Sequence, residues 1–176
     1  MKKKSLVLLT AMTMAFALTA CGGSDKAADG TTAAPAAQEG TQTGSGYSFK
    51  SGSTTIAMNV PAADILSALG EPSDKYEAES CAFQGMDRTY TYPGYTVDTY
   101  ENNGVETILH VTFQDDTVST PEGLAIGQNV DKAKELYGDA GEDNGSSITY
   151  TKDGTKLIVF YENGTISQIQ YEAITD

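Results

Sequence analysis

Residues 95–113 read YTVDTYENNGVETILHVTF, and residues 156–173 read KLIVFYENGTISQIQYEA. Each is a β-rich run, a short turn carrying Asn-Gly, and a second β-rich run. Asn-Gly between such runs is the strongest short-range signal for a hairpin, because glycine and asparagine accept the positive φ that the turn demands. Tyr100-Glu101-Asn102-Asn103-Gly104 and Tyr161-Glu162-Asn163-Gly164 are the same turn with one residue added. A third strand precedes each hairpin. Tyr90-Thr91-Tyr92 leads into Pro93-Gly94, and Ile148-Thr149-Tyr150-Thr151 leads into Lys152-Asp153-Gly154.

Ahead of each set of strands lies a helical pattern. Ala62, Ile65, Leu66 and Leu69 recur at i, i+3, i+4 and i+7, which is one helix face. Pro61 suits a first turn, and Gly70 with Pro72 stops the helix. Val130, Ala133, Leu136 and Tyr137 form the second face, closed by Gly138. An offset of 68 residues lays Ile56-Ala57-Met58 on Leu124-Ala125-Ile126 and Leu69-Gly70 on Tyr137-Gly138 without a gap. The expected fold is α+β: two tandem repeats, each a helix followed by an antiparallel meander, with the helices on one face of the sheets and the other face wet. Residues 47–120 would be the first repeat and 121–176 the second, joined at Thr120-Pro121-Glu122-Gly123. One half alone, about 65 residues, is marginal; two packed together are not.

Residues 1–46 read differently. Lys2, Lys3 and Lys4 precede residues 6–18, an uncharged run too short to span ~30 Å of hydrocarbon. It ends in Leu18-Thr19-Ala20-Cys21. This resembles the bacterial lipobox and implies a signal peptide over residues 1–20, cleavage before Cys21, and diacylglycerol on the Cys21 sulfur. Two acyl chains hold a protein at a bilayer because each buried CH2 contributes about 0.8 kcal/mol. The resulting location is extracytoplasmic, anchored to the bacterial cell membrane. Residues 22–46 are mostly Ala, Gly, Thr, Ser and Gln with hardly any large apolar side chain, which reads as a disordered tether reaching about 25–30 Å.

The chain of 176 residues carries 24 acidic against 11 basic residues, a formal charge of −13. Removing residues 1–20 takes three of those basic residues and no acid, leaving −16. A surface of that sign excludes nucleic acid as a partner and is repelled by anionic headgroups.

The segment from Asn59 to Pro72, NVPAADILSALGEP, resembles the helix motif of small envelope lipoproteins of the SmpA/OmlA type. It is also similar to the repeat of β-lactamase-inhibitor-protein-like (BLIP-like) domains, which come in tandem. The resemblance implies a non-catalytic role in protein binding or assembly. It carries over no inhibitory residues and implies no β-lactamase target.

Chemistry-bearing residues are few. His110, the single His, sits mid-strand, and strict alternation puts it on the face of Glu106, Ile108 and Thr112, opposite Leu109, Val111 and Phe113. No Gly-x-Ser-x-Gly elbow accompanies it, so a catalytic role is not expected. Cys81 is the remaining thiol once Cys21 is lipidated. A redox or nucleophilic thiol or an intermolecular bridge are open to it. Its neighbours Glu77, Glu79 and Asp87 work against a thiolate, and a buried structural Cys is the expectation. The acids Asp139, Glu142, Asp143 and Asp115-Asp116 lack the EF-hand spacing and read as solvated loops, with no metal or other cofactor expected.

The tyrosines are the most informative group. Tyr90, Tyr92, Tyr95 and Tyr100 fall close together beside Arg88, the single Arg. Tyr and Arg dominate interface hot spots, and tyrosines also pack well across a sheet. Arg88, Tyr92 and Tyr95 are the candidate binding residues. The function so read is a lipid-anchored, non-catalytic binding module that engages an envelope protein or wall polymer through a tyrosine-bearing sheet. An assembly or inhibitory accessory of another envelope protein is the alternative, and a weak thiol-dependent enzyme a third.

Overall fold

In the computed structural model, residues 45–175 are described. The expected signal peptide (residues 1–20), Cys21 and all but the last two residues of the expected tether lie outside them. Near the start of the described residues, the Tyr47 amide donates to Thr155 Oγ1 at 2.7 Å.

The described chain opens with a small hairpin, β1 (Ser48–Ser51) and β2 (Thr54–Ala57). Then come helix α1 (Ala63–Leu69) and strands β3 (Asp74–Glu79), β4 (Met86–Tyr92), β5 (Tyr95–Asn102) and β6 (Val105–Phe113). Helix α2 (Asp131–Tyr137) follows, with β7 (Glu142–Asp143), β8 (Ser147–Lys152), β9 (Thr155–Glu162) and β10 (Thr165–Ala173). The second to last groups of strands do not form two sheets. They make one antiparallel sheet of eight strands in the order β3-β4-β5-β6-β10-β9-β8-β7.

The expected α+β class is corrected accordingly. Half of the described residues are in strands and 11% in helices, so the fold is mostly β. The described residues form two helices, each seven residues long. Each ends where a glycine at positive φ, Gly70 or Gly138, turns the chain away. Such short helices bury little: α1 has no fully buried residue and α2 only Ala133. The sheet gains far more by closing edge to edge. At its centre β6 pairs with β10 through His110↔Glu172, Val111↔Tyr171 and Thr112↔Gln170.

One face of the sheet is covered. Tyr90, Tyr92, Val97, Val111, Val159 and Ile169 are buried on it in a single apolar cluster that also takes in Ile56, Leu124 and Ala133. Ile65, Leu66 and Leu69 of α1 and Leu136 and Tyr137 of α2 pack against this cluster. Phe49 of β1 sits in the middle. Its ring centroid is 4.9 Å from those of Tyr95 and Phe113 and 6.2 Å from that of Tyr171.

A second correction concerns β6. Asp98 pairs with His110 but Thr99 pairs with Ile108, so Leu109 is one residue too many on β6. Such a bulge breaks strict alternation. Ile108 therefore turns to the core at 0% exposure, on the side of Val111 and Phe113, instead of sharing a face with His110. Glu106 turns with it and accepts the Tyr90 and Thr99 hydroxyls, each at 2.7 Å. Burial and this carboxylate together push the Tyr90 hydroxyl pKa up.

Candidate functional site

The opposite face of the sheet carries no helix. Alternation along each strand sends to it the residues that lie between buried neighbours. Asp98 stands between Val97 and Thr99, Lys156 between Thr155 and Leu157, and Glu172 between Tyr171 and Ala173. Register then brings them into one transverse row: Tyr76↔Thr89, Thr89↔Asp98, Asp98↔His110, His110↔Glu172 and Glu172↔Lys156. The row is tied by its own bonds. Thr89 Oγ1 donates to Asp98 at 2.6 Å, Lys156 Nζ to Glu172 at 2.9 Å, and Gln170 Nε2 to Glu172 at 3.2 Å. Tyr76, at the outer end of the row, is 65% exposed.

His110 lies near the middle, with Nε2 3.7 Å from Glu172 Oε2. Two influences compete there. The carboxylates Glu172 and Asp98 favour the imidazolium, whereas burial, aided by Lys156, disfavours it; burial is the larger, and the His110 pKa is lowered. A group whose folded pKa lies below its unfolded value costs stability as the pH falls through the unfolded value, because the unfolded chain takes up a proton that the folded chain resists. Proton NMR of the His110 ring is expected to give a midpoint below the ordinary 6.5. In His110→Gln the corresponding loss of stability below about pH 6.5 should disappear. A midpoint above 6.5 would show that Glu172 wins over burial.

A groove of about 520 Å³ continues this face. Tyr100, two residues beyond Asp98 on β5, and Ile174, two residues beyond Glu172, line it. Its other walls are the 80–85 loop, with Phe83 and Gln84, and the β5–β6 turn, with Asn102 and Asn103. The Phe83 ring packs on Tyr100 with centroids 4.4 Å apart. The Tyr100 hydroxyl crosses to Asn59 Oδ1, 3.1 Å away, and accepts from Asn102 Nδ2 at 3.5 Å.

The residues singled out in the sequence fall elsewhere. Tyr92 and Tyr95 are 6% and 3% exposed. Their rings stack at 5.3 Å within the core, and their hydroxyls donate to Gly70 O at 3.3 Å and Ser51 Oγ at 2.9 Å. They are core residues of the covered face and offer nothing to a partner, which corrects their reading as binding residues. Arg88 shares the covered side of β4 at the sheet's outer part. Its Nε donates to Glu77 at 2.7 Å, and Glu106 lies 3.9 Å from its Nη1. The Glu77 bond raises the Arg88 pKa further and fixes the side chain within the fold. Cys81 is also corrected: it is exposed in the 80–85 loop, not buried. Cys21 lies outside the described residues. No helix among the described residues is long and apolar enough to cross a membrane.

The polar row and the groove are what sequence reasoning missed. The row needs both the β6·β10 register and the Leu109 bulge, and neither leaves a mark in the sequence. The groove had a signal in the paired amides of Asn102-Asn103 beside Tyr100, which read only as turn residues. No protein-family model matches the chain, no curated protein matches it, and no solved structure matches its fold.

Proposed function

We propose that the protein is a lipid-anchored extracytoplasmic binding module that engages an envelope protein or wall polymer, without catalysis, through the helix-free face of its sheet. The observation that carries this reading is that face itself, with a bonded polar row across it and, two residues further along from Asp98 and Glu172, a groove of about 520 Å³ lined by Tyr100 and Ile174. Ligand sites of this size, roughly 300–1,000 Å³, are typically preformed clefts with few polar groups fixed in place. Here Asp98, Glu172 and Lys156 are held by neighbours before any partner arrives, which lowers the ordering cost of binding. The anchor rests on the run ending in Leu18-Thr19-Ala20-Cys21, and the likeness of residues 59–72 to envelope lipoprotein repeats points the same way. The alternative, an accessory of another envelope protein, draws support from Tyr76, an exposed tyrosine at the end of the row.

The test is capture by the full mature chain of purified wall polymer and of solubilised envelope proteins. Arg side chains are placed on the free face by Thr89→Arg on β4 and Ile158→Arg on β9, each in a separate variant. Capture is expected to fall about tenfold or more in at least one of them, as for a hot-spot position. Undiminished capture by both variants would remove the free face from the binding surface.

A further inference from the structure

We infer that the groove at the β5–β6 turn takes an uncharged oligosaccharide bearing hydroxyl and acetamido groups; this rests on the binding-module reading and names the ligand class of its groove. The lining is the reason. Asn59, Gln84, Asn102 and Asn103 bring four carboxamides to one concavity. A carboxamide both donates and accepts, and so does a sugar hydroxyl or an acetamido group, so the two match without any charge. Part of this set is already committed. Asn59 Oδ1 and Asn102 Nδ2 meet the Tyr100 hydroxyl, and Asn103 Nδ2 donates to Asn102 Oδ1 at 2.9 Å. Those bonds hold the amides in place and leave Asn59 Nδ2, Asn103 Oδ1 and the exposed Gln84 free to meet a ligand. The apolar part of the lining is Phe83, packed on Tyr100, and Ile174, 37% exposed. An aromatic ring and a branched aliphatic side chain suit the C–H faces of a pyranose.

Charge narrows the class further. Glu101 is the single side chain among the lining residues that carries a charge at neutral pH, and the chain as a whole carries −13. An anionic polymer such as a polyol phosphate would meet repulsion with no cation to offset it. An extended peptide is disfavoured for another reason. Peptide capture of that kind uses the unpaired backbone of a sheet edge. The groove walls are a loop, a turn and the end of β10, while the edges of the sheet are β3 and β7.

The probe is the tetramer of N-acetylglucosamine, titrated into the full mature chain. Binding is read by tyrosine fluorescence, usable because the chain has no Trp, and by NMR shifts of side-chain amides. Saturable binding is expected, with shifts in the amides of Gln84 and Asn103. Phe83→Ala should weaken it about tenfold or more and Gln84→Ala about threefold, the size of losing an anchoring ring or one hydrogen bond. Lys132→Ala, exposed on α2 on the covered side of the sheet, should leave it unchanged. The far-ultraviolet dichroism of each variant checks that it folds. Binding untouched by Phe83→Ala and Gln84→Ala would overturn the assignment to this groove. Absence of tetramer binding, with an envelope protein still captured through the free face, would overturn the ligand class and leave the binding module standing. Absence of both would overturn the two together.

Discussion

Phe49→Ala is expected to lower the unfolding free energy by about 3–5 kcal/mol, the usual loss for removing a buried phenyl ring. Phe49 is 2% exposed and belongs to the small β1–β2 hairpin, outside the main sheet. Yet its ring meets Tyr95 of β5, Phe113 of β6 and Tyr171 of β10. It thus covers the seam where the first four strands of the sheet join the last four. Truncation would leave a cavity bordered by three aromatic rings, and rings held by strand backbones cannot collapse into it. Domains of this size have about 5–15 kcal/mol to lose, so the variant should stand near the edge of stability. Thermal unfolding followed by circular dichroism should show a drop of roughly 10–20 °C. A drop of only a few degrees would mean that the hairpin is an accessory to the core and not part of it.

Gly94→Ala should come second, at about 2–5 kcal/mol, from two separate causes. Gly94 lies in the β4–β5 turn with φ +83°, a conformation that a Cβ disfavours. The new methyl would also stand 2.5 Å from Thr117 Oγ1 and 2.9 Å from Val118 Cγ1. These belong to a bonded turn in which the Thr117 amide donates to Asp115 at 2.9 Å, and the Gln114 amide donates back to Gly94 O at 2.8 Å. The neighbours therefore cannot step aside without breaking a bond. Gly104→Ala is the control. Its φ is +79° but no atom lies within 4 Å of an added Cβ, so it should cost only the conformational part, about 1–2 kcal/mol. Urea unfolding of the two variants side by side decides the matter. Equal losses would show that crowding at Gly94 plays no part.

Much of the local order is legible in the residues. The Asn-Gly turns mark both long hairpins, and the helix faces around Leu66 and Ala133 lie where periodicity puts them, each stopped by a glycine. What stays hidden is which side of the sheet is covered. Alternation says that Tyr90 and Tyr92 share a face, and that Tyr95 and Val97 share one. It does not say whether that face meets helices or water. A tyrosine suits either, because its ring packs and its hydroxyl finds a partner such as Ser51. Packing against Phe49, a residue 46 positions earlier than Tyr95, settles it inward. Leu109 shows the same limit at one residue. Nothing in Ile108-Leu109-His110 announces a bulge, and without it half of β6 is assigned to the wrong side. The β6·β10 pairing is hidden for a related reason. It joins two strands that each already have a hairpin partner, and only three residue pairs carry it.

That central seam also sets the order of events in time. Every other pairing in the large sheet links strands adjacent along the chain, and such hairpins close within about 1–10 μs. Val111 and Tyr171 are about 60 residues apart, and bringing them together costs the entropy of a long loop, roughly 3–4 kcal/mol before any contact repays it. The two groups of hairpins can therefore form early and wait, each with one bare inner strand. At high concentration, the bare strand that arrives first can belong to another molecule. The same three residue pairs that complete the monomer would then join two chains in an exchanged dimer. The speed with which Phe49 seals the seam decides which product forms.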